Sequence, residues 1–348
     1  MTADTAVFSI IKFHTYVRPA YSTANLETGE VSMKNDFYYP SSDGRTNIHA
    51  VEWVPKQEIK AVVQICHGMV EYIERYDEFA AFLTERGIYV TGHDHLGHGK
   101  SAADEESLGY FDETNGNKYV IADIHRLREL TQEKYPDVPY IMLGHSMGSF
   151  LLRQYLTTYS RGLACAVIMG TGCQGSALLA MGRILCRIIA LFKGWKHRSV
   201  LVNNLSFGSY NKRFEPGDTP KDWITSDKEK CAAYVSDPLC SFVFTVSAYY
   251  QMFAGMKVLT KKANTEKINK DLPLLLVSGA DDPVGDFGKG VKKVYGQLRE
   301  AGIRDVSLKL YDGDRHEILN ETDREQVYED IYRWISEKIA KEKGGNEK

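Results

Sequence analysis

Short apolar strands alternate with helical patterns along most of this chain, and this alternation is the feature that most limits its fold. The run Ala61 to Cys66 (AVVQIC) is rich in β-branched residues, as in a strand buried on both faces. Further strands are predicted at 88–91, 139–143, 163–169, 272–277 and 306–310. Helical spacing of apolar residues is found at 76–86, 117–134, 149–159 and 323–341. Repeated strand–helix units predict a mostly parallel sheet with helices on both faces.

Three segments depart from this alternation. Residues 36–55 form two extended stretches around a Ser-Asp-Gly turn, which predicts an antiparallel hairpin. Residues 173–262 contain no convincing core strand, so we interpret them as a helical cap, or lid, inserted over the sheet. Residues 1–32 are weakly patterned and are interpreted as an N-terminal extension. The core domain is then 33–172 together with 263–348.

Composition and charge exclude several classes of protein. The 348 residues are 43% apolar and 26% charged, so the chain can bury a large core, and its net charge of −3 gives no sign of a nucleic-acid partner. No apolar run reaches the ~20 residues that span a bilayer. No basic leader precedes the apolar patch at 7–11, and the six cysteines show no disulfide framework. We therefore expect a soluble cytoplasmic protein.

The pentapeptide Gly144-His145-Ser146-Met147-Gly148 fits the pattern G-x-S-x-G and lies between a predicted strand and a predicted helix. Such a strand-to-helix turn is strained and holds the serine hydroxyl out above the edge of the sheet. The helix that begins there directs its partial positive charge at the same place. The motif therefore predicts Ser146 as a nucleophile.

A serine hydroxyl is a weak nucleophile unless a base removes its proton. In folds with this turn, the acid and then the histidine follow the serine along the chain. Asp281 and Asp282 both follow the strand at 272–277. We favour Asp282, because the spacing G-x-x-D-P-V places it past the strand end. His316 follows the last strand in a glycine-containing loop and is the predicted base.

An oxyanion formed during acyl transfer needs two backbone N–H donors. One is predicted to be the amide of Met147, directly after Ser146. The loop after the first parallel strand begins Cys66-His67-Gly68, where the glycine lets the backbone turn towards the serine. The amide of Met69 is therefore the second candidate.

Five segments together resemble a known group. HGM, GHDHLGHGKS, GHSMGS, GADDPVG and GDRHE are similar to the monoacylglycerol lipase and lysophospholipase branch of the α/β hydrolases, with its S33-type serine hydrolases. The resemblance covers about 35–341. It implies an α/β-hydrolase fold, hydrolysis of single-chain acyl esters, a mobile cap and no cofactor. The matching positions are Ser146, Asp282 and His316 for the triad, with the amides of Met69 and Met147 for the oxyanion hole.

Metal-dependent hydrolysis and a cysteine nucleophile are the two alternative chemistries. The run from His93 to His98 resembles the H-x-H-x-D-H pattern of metallo-hydrolases, but Gly97 stands where the aspartate belongs. A turn stabilised by Asp94 is the preferred interpretation, so no metal is expected. Cys66 lies beside His67, but no turn signal exposes its thiol as a nucleophile should be exposed.

The insertion supplies the remaining predictions. Residues 177–195 are mostly apolar, with Arg183 and Arg187 four apart, and predict a cap helix that contacts a lipid interface transiently or lines an acyl tunnel. The alternative is packing against its own domain or against a second subunit of a homodimer. The aromatic residues of the insertion either line an acyl pocket or pack within it: Phe242, Phe244, Tyr249, Tyr250 and Phe253.

The leading prediction is a hydrolase of monoacylglycerols or lysophospholipids, with a small-molecule acyl ester as its partner. The alternatives are an amidase or peptidase with the same triad, or a non-catalytic binding protein with a hydrolase fold.

Overall fold

The computed structural model describes residues 32–345, which form an α/β structure around one eight-stranded sheet. The strands are β1 Ser32–Pro40, β2 Asn47–Pro55, β3 Ala61–Cys66, β4 Ile88–His93, β5 Tyr140–His145, β6 Cys165–Met169, β7 Leu274–Gly279 and β8 Val306–Tyr311. Their order in the sheet is β1-β2-β4-β3-β5-β6-β7-β8, and β3 to β8 are parallel. The predicted extension at 1–32 lies outside the described residues, except for Ser32.

Helices pack on both faces of this sheet, and further helices lie in the segment between β6 and β7. They are α1 Asp77–Thr84, α2 Gly116–Lys134, α3 Met147–Tyr159, α4 Ser176–Lys193, α5 Val200–Phe207, α6 Lys228–Ser236, α7 Val246–Val258, α8 Lys262–Thr265, α9 Lys289–Glu300 and α10 Arg324–Gly345. Apolar side chains of α2, α3 and α9 form a core with one face, and those of α1 and α10 form a core with the other. Side chains alternate along a strand, so Val62 joins the first core and Val63 the second. The predicted mostly parallel, doubly covered sheet is confirmed.

The hairpin predicted at 36–55 is also confirmed, because β1 and β2 pair antiparallel with Lys34 opposite Trp53. One helix, α9, was not predicted. Its apolar positions Val291, Val294 and Leu298 are three and four residues apart and buried, so the signal was present in the sequence.

The segment between β6 and β7 contains α4 to α8 and, within 170–273, no strand of the sheet. The domain boundaries, with a cap inserted at 173–262, stay a prediction. Its only described β contact is the isolated bridge between Arg198 and Thr245. Among residues 32–345, no helix combines the length and the apolar character needed to cross a membrane.

Candidate active site

Ser146 lies at the turn between β5 and α3 and has a backbone conformation that a side-chain-bearing residue rarely adopts, with φ 53° and ψ −119°. The turn is possible because both neighbouring glycines lack a Cβ. A Cβ on Gly144 would lie 2.4 Å from the carbonyl oxygen of Gly148, and one on Gly148 would lie 2.0 Å from that of Cys66. The strained backbone and the tight packing together present the serine hydroxyl at the start of α3.

The loop after β8 brings His316 to this hydroxyl. Nε2 of His316 lies 2.8 Å from Oγ of Ser146, and the imidazole is 3% exposed. Nδ1 of the same ring lies 3.0 Å from Oδ1 of Asp282, but this contact lacks the geometry of a well-aligned hydrogen bond. The three side chains therefore meet although 170 residues separate Ser146 from His316.

The two aspartates after β7 occupy different environments. Asp282 is fully buried, and its carboxylate accepts hydrogen bonds from the backbone N–H of Val284 at 2.8 Å and from the hydroxyl of Ser278 at 3.1 Å. Asp281 pairs instead with Arg213, at 2.9 Å, and is partly exposed. Of the two, only Asp282 contacts the imidazole.

The loop after β3 lies against the serine. A Cβ on Gly68 would lie 2.5 Å from Oε1 of Glu71 and 3.0 Å from Cβ of Ser146, so a larger residue would force neighbouring groups apart. Met69 follows it, and both Met69 and Met147 line the same cavity as Ser146. Neither amide N–H donates a hydrogen bond to another group of residues 32–345. Both candidate oxyanion donors are thus unoccupied beside the serine.

A cavity of about 790 Å³ opens over Ser146 and His316. Most of its wall is apolar and comes from the segment between β6 and β7. The contributing side chains include Leu179, Met181 and Leu185 of α4, Val202 and Leu205 of α5, and Met252, Phe253 and Met256 of α7. A cavity of this size and lining fits a ligand with a long apolar chain.

The aromatic residues of the insertion divide between the two predicted roles. Phe242 and Phe253 line the cavity, as predicted for an acyl pocket. Phe244 and Tyr249 are fully buried in the core, and the hydroxyl of Tyr250 accepts a hydrogen bond from Arg183 at 2.7 Å. Arg183 therefore packs inward, so the basic face predicted for this helix is only partly available.

A buried charge cluster beside the triad was not predicted. Arg75 binds Glu317 through two hydrogen bonds of 2.8 and 2.7 Å and also contacts Glu71 at 2.9 Å. Glu71 in turn lies 3.2 Å from Nδ1 of His145, the residue before the serine. The sequence offered one signal, the opposite charges of Glu71 and Arg75 four residues apart, but no indication that these groups are buried together.

This cluster shifts the pKa values of its members. Burial alone would raise the pKa of Glu71, but the hydrogen bond with His145 and the charge of Arg75 outweigh burial and lower it. The pKa of Glu317 is lowered in the same way, against burial, by the charge of Arg75. For His145, burial is outweighed by the contact with Glu71, and its pKa is raised. Both carboxylates are therefore ionised at neutral pH.

The histidine run after β4 is buried. Nδ1 of His95 lies 2.9 Å from Nε2 of His93. The backbone N–H of His95 donates a hydrogen bond to Nε2 of His67. Asp94 accepts a hydrogen bond from the backbone N–H of Lys100 at 2.8 Å, which is the predicted turn. Among the described residues, no group of three His, Cys, Asp or Glu side chains is placed to hold a metal ion.

Cys66, the alternative thiol nucleophile, is fully buried at the end of β3. Burial raises the pKa of its thiol to about 12. The thiolate form needed for nucleophilic attack is therefore disfavoured at this position.

A serine at a strand-to-helix turn, followed by an aspartate after β7 and a histidine after β8 of a mostly parallel sheet, defines an α/β hydrolase. Comparison with known proteins is in agreement. The family described as serine aminopeptidase, S33 matches residues 57–323, and the chain belongs to this family. The predicted α/β-hydrolase fold is thereby confirmed, as is the resemblance to the monoacylglycerol lipase-like branch.

Three relatives place the chain more narrowly. The monoglyceride lipase of Mus musculus is 26% identical over 297 residues, which are 83% of this chain and 86% of that protein. The monoacylglycerol lipase of Mycolicibacterium smegmatis is 26% identical over 81% of this chain and 90% of that protein. A highly thermostable carboxyl esterase from Bacillus coagulans, solved in complex with glycerol, is 31% identical with a TM-score of 0.82, over 88% of this chain and 99% of that chain.

Proposed function

We propose that this protein is a carboxylic-ester hydrolase that cleaves single-chain acyl lipids, monoacylglycerols or lysophospholipids, through an acyl-enzyme on Ser146. The observation that carries the proposal is the 2.8 Å contact between Ser146 and His316 under an apolar cavity of about 790 Å³. Relatives named monoglyceride lipase and carboxyl esterase support the same reaction type.

In the proposed mechanism, Nε2 of His316 takes the hydroxyl proton as Ser146 attacks the ester carbonyl. Asp282 holds the imidazole in the tautomer that accepts this proton and stabilises the imidazolium that results. His316 then gives the proton to the departing alcohol. Water attacks the acyl-enzyme by the same route and releases the fatty acid.

The backbone amides of Met69 and Met147 are the proposed donors to the oxyanion. They belong to two segments that line the same cavity as Ser146, and the missing Cβ of Gly68 allows these segments to lie close together. Preorganised donors of this kind each contribute roughly 2.7–4 kcal/mol to the stability of such a transition state.

The segment at 173–262 is proposed to act as a cap that admits the acyl chain and contacts a lipid surface. Six large apolar side chains of α4 are 48–85% exposed: Leu178, Met181, Ile184, Ile188, Leu191 and Phe192. Leu178 and Met181 also line the cavity, so the exposed face is continuous with the acyl site. An apolar face open at one end to the substrate cavity suits extraction of a lipid from a membrane or micelle. Association with a second copy is the alternative for the same face.

The first test is covalent labelling. Wild-type protein and Ser146→Ala are incubated with a fluorophosphonate, and the modified residue is located by mass spectrometry. We expect an adduct on Ser146 in the wild-type protein and none in the variant. A panel of p-nitrophenyl esters of rising chain length follows, with and without a chelator, and turnover is expected to be insensitive to the chelator. Absence of both labelling and turnover at neutral pH would exclude catalysis by this triad.

Asp282→Asn and Asp281→Asn form a matched pair for the acid. Asn at 282 favours the wrong tautomer of His316, so we expect kcat to fall by roughly 10⁴-fold, as for other triads of this type. Asp281→Asn breaks only a partly exposed pair with Arg213 and is expected to change kcat less than about threefold. Equal losses in the two variants would contradict the assignment.

Lys221 provides a test between neutral and phosphate-bearing lipids. It lines the cavity, its ammonium lies 5.9 Å from the ring centre of Trp223, and that ring lies 5.2 Å from His316. No ion pair joins it to a carboxylate of residues 33–340. If the substrate is a lysophospholipid, Lys221→Met should lower kcat/KM for it at least about fivefold, with less than twofold change for the monoacylglycerol of the same chain. Equal effects on both would favour the monoacylglycerol.

A peptidase using the same triad is the second candidate, and it needs a free acidic group to bind an amino terminus. The carboxylates that line the cavity are Glu71 and Glu317, and Arg75 pairs with both. This pairing argues for the ester reaction. Turnover of aminoacyl p-nitroanilides faster than that of the esters would reverse the order of the two candidates.

A further inference from the structure

A second, smaller cavity of about 210 Å³ lies next to the proposed acyl site. The two cavities share four residues in their walls: Phe150, Gln174, Leu179 and Met256. The smaller cavity is also lined by Arg153 of α3 and Lys293 of α9, which do not line the larger one. The proposed hydrolysis makes no use of it.

Arg153 is the unusual member of this wall, because it is a buried cation without a counter-ion. The residue is 6% exposed, and no carboxylate of residues 33–340 forms an ion pair with it. Its Nη1 donates to Oγ1 of Thr171 at 3.2 Å and to the carbonyl oxygen of Gly172 at 3.0 Å. A guanidinium has five N–H donors. Within the described part of the chain, Nε and Nη2 of Arg153 donate to no protein acceptor, and neither is sealed away from solvent.

The walls of the cavity carry positive charge only. Arg153 and Lys293 line it, and none of its lining residues is an aspartate or a glutamate. Burial lowers the pKa of Arg153 to about 10, which leaves the side chain charged at neutral pH. Buried charges in proteins are normally paired, so the all-positive wall of this cavity favours an anion as its ligand.

The chemistry of the wall indicates which anion fits. The free edge of the guanidinium can bind the two oxygens of one carboxylate in parallel. Phe150, Leu179, Met256 and Leu259 offer an apolar surface for an alkyl stem, which a phosphate dianion would not use. We propose that this cavity binds the carboxylate of a short-chain fatty acid anion through Arg153, with Lys293 at its rim.

Two sources could supply this carboxylate: a free fatty acid, or the far end of an acyl chain that carries a second carboxylate. Arg153 lies seven residues after Ser146, roughly 10 Å along α3 and on the same side of the helix. The proposal does not depend on catalysis by Ser146, because binding is measured at Arg153 itself.

Cys173 supplies a local readout. It lines the cavity, and it is the one cysteine of the six that is not buried. We would follow its carbamidomethylation by iodoacetamide in the full chain, using mass spectrometry, with and without sodium hexanoate. Hexanamide, of the same size but uncharged, is the matched control. We expect saturating hexanoate to slow alkylation at least about fivefold and hexanamide to slow it less than twofold.

Two variants connect this protection to the proposed contacts. Arg153→Met should raise the hexanoate concentration needed for half-maximal protection about thirtyfold or more, as when one partner of a buried charged pair is removed. Lys293→Ala removes an exposed charge, so the variant should fold normally. It should raise the hexanoate concentration needed for half-maximal protection by up to about fivefold. Equal protection of Cys173 by hexanoate and by hexanamide would overturn the proposal. So would hexanoate protection that is the same as wild type in both Lys293→Ala and a folded Arg153→Met. Protection by inorganic phosphate but not by hexanoate would overturn it as well.

The two sources are separated by kinetics in the same variants. A p-nitrophenyl monoester of suberic acid carries a terminal carboxylate, and p-nitrophenyl octanoate lacks it. If the acyl chain itself reaches the cavity, Arg153→Met lowers kcat/KM for the suberate ester at least about tenfold more than for the octanoate. If the two esters respond alike while hexanoate still protects Cys173, the ligand is a free fatty acid. A protein inactive in both ester assays leaves the Cys173 measurement unaffected.

Discussion

At the residue scale, the turn at Ser146 shows how much a short motif can specify. The pattern G-x-S-x-G predicted the serine, and the structure explains why both glycines are needed, since a Cβ at either position would overlap backbone atoms. Asp282 and His316 were predicted from chain order and position after strands, and the structure places His316 beside Ser146 and Asp282 beside His316. Their roles in catalysis stay predictions until they are measured.

Two glycine substitutions should differ in sign. In Gly148→Ala, the new methyl group would lie 2.0 Å from the carbonyl oxygen of Cys66, so β3 or α3 must move. We expect the free energy of unfolding to fall by about 3 kcal/mol, the upper end for overpacking, with loss of ester turnover. In Gly296→Ala, in the middle of α9, the methyl group meets nothing within 4 Å. That variant should gain about 0.5–1 kcal/mol with unchanged turnover.

Urea denaturation of both variants beside the wild-type protein provides the measurement. Gly296→Ala is the control for the general effect of adding a methyl group to a helical glycine. A Gly148→Ala protein as stable as the wild type would show that the contact between the turn and Cys66 is loose.

At the element scale, the buried strands were the best predicted part of the fold. β3 was predicted with both ends correct, because a continuous β-branched run bounded by polar residues has no good helical alternative. α9 was missed since its Lys and Arg residues are as many as its apolar residues, although the buried apolar residues lie on one side. For α4 the sequence indicated an apolar helix but not which face is buried. That depends on α7, which packs against it from 50 to 80 residues further along the chain.

The exposed face of α4 has a testable consequence. Leu191 and Phe192 are 81% and 85% exposed at its end. If this face contacts lipid, the double variant Leu191→Ser/Phe192→Ser should bind vesicles at least about tenfold more weakly, because two apolar side chains no longer leave water. Hydrolysis of a soluble p-nitrophenyl butyrate should not change. Vesicle flotation and the ester assay measure the two effects.

Met33→Ser is the matched control for this experiment. Met33 is 56% exposed on β1. This strand is at one edge of the sheet, whereas β6 and β7, which flank the segment that contains α4, are near the other edge. It should not alter vesicle binding. If the α4 double variant instead turns a dimer into a monomer in sedimentation, with vesicle binding unaffected, the face is an interface between two copies.

At the scale of the whole molecule, the fold buries a cluster of histidines. Four histidines near β3 and β4 are fully buried: His67, His93, His95 and His98. The sequence placed three of them in one run, but their burial depends on loops that only the complete sheet brings together. Burial lowers the pKa of each, to about 3 for His93 and His98. Stability of the whole chain must therefore depend on pH.

The sign of that dependence follows from which state binds more protons. Between pH 6.5 and the lowered pKa values, the unfolded chain protonates these histidines and the folded chain does not, so the free energy of unfolding falls as pH falls. Each histidine contributes up to about 1.4 kcal/mol per pH unit in that window. His145 acts in the opposite sense, because its raised pKa adds stability below pH 6.5 that is lost as pH rises. Below about pH 4.5, Glu71 and Glu317 add to the loss, since their pKa values are lowered in the folded state.

His98→Phe isolates one contribution to this acid destabilisation. The imidazole of His98 packs among Phe111, Phe242 and Phe244, with ring centres 5.3–5.9 Å away, and its Nε2 has no hydrogen-bond partner in the described chain. A phenyl ring cannot be protonated, but it gives up the 3.0 Å hydrogen bond that Nδ1 of His98 donates to the carbonyl oxygen of Leu96. That loss lowers stability equally at both pH values, so it cancels in the comparison. Between pH 7 and pH 5, the variant should therefore lose about 2 kcal/mol less stability than the wild-type protein.

Urea denaturation at the two pH values measures this difference, and His197→Gln, at a partly exposed position, is the control. The control should lose as much stability as the wild type. If His98→Phe also shows the full wild-type loss, His98 is protonated in the folded protein, and the acid sensitivity must come from the other buried histidines or from the carboxylates beside the triad.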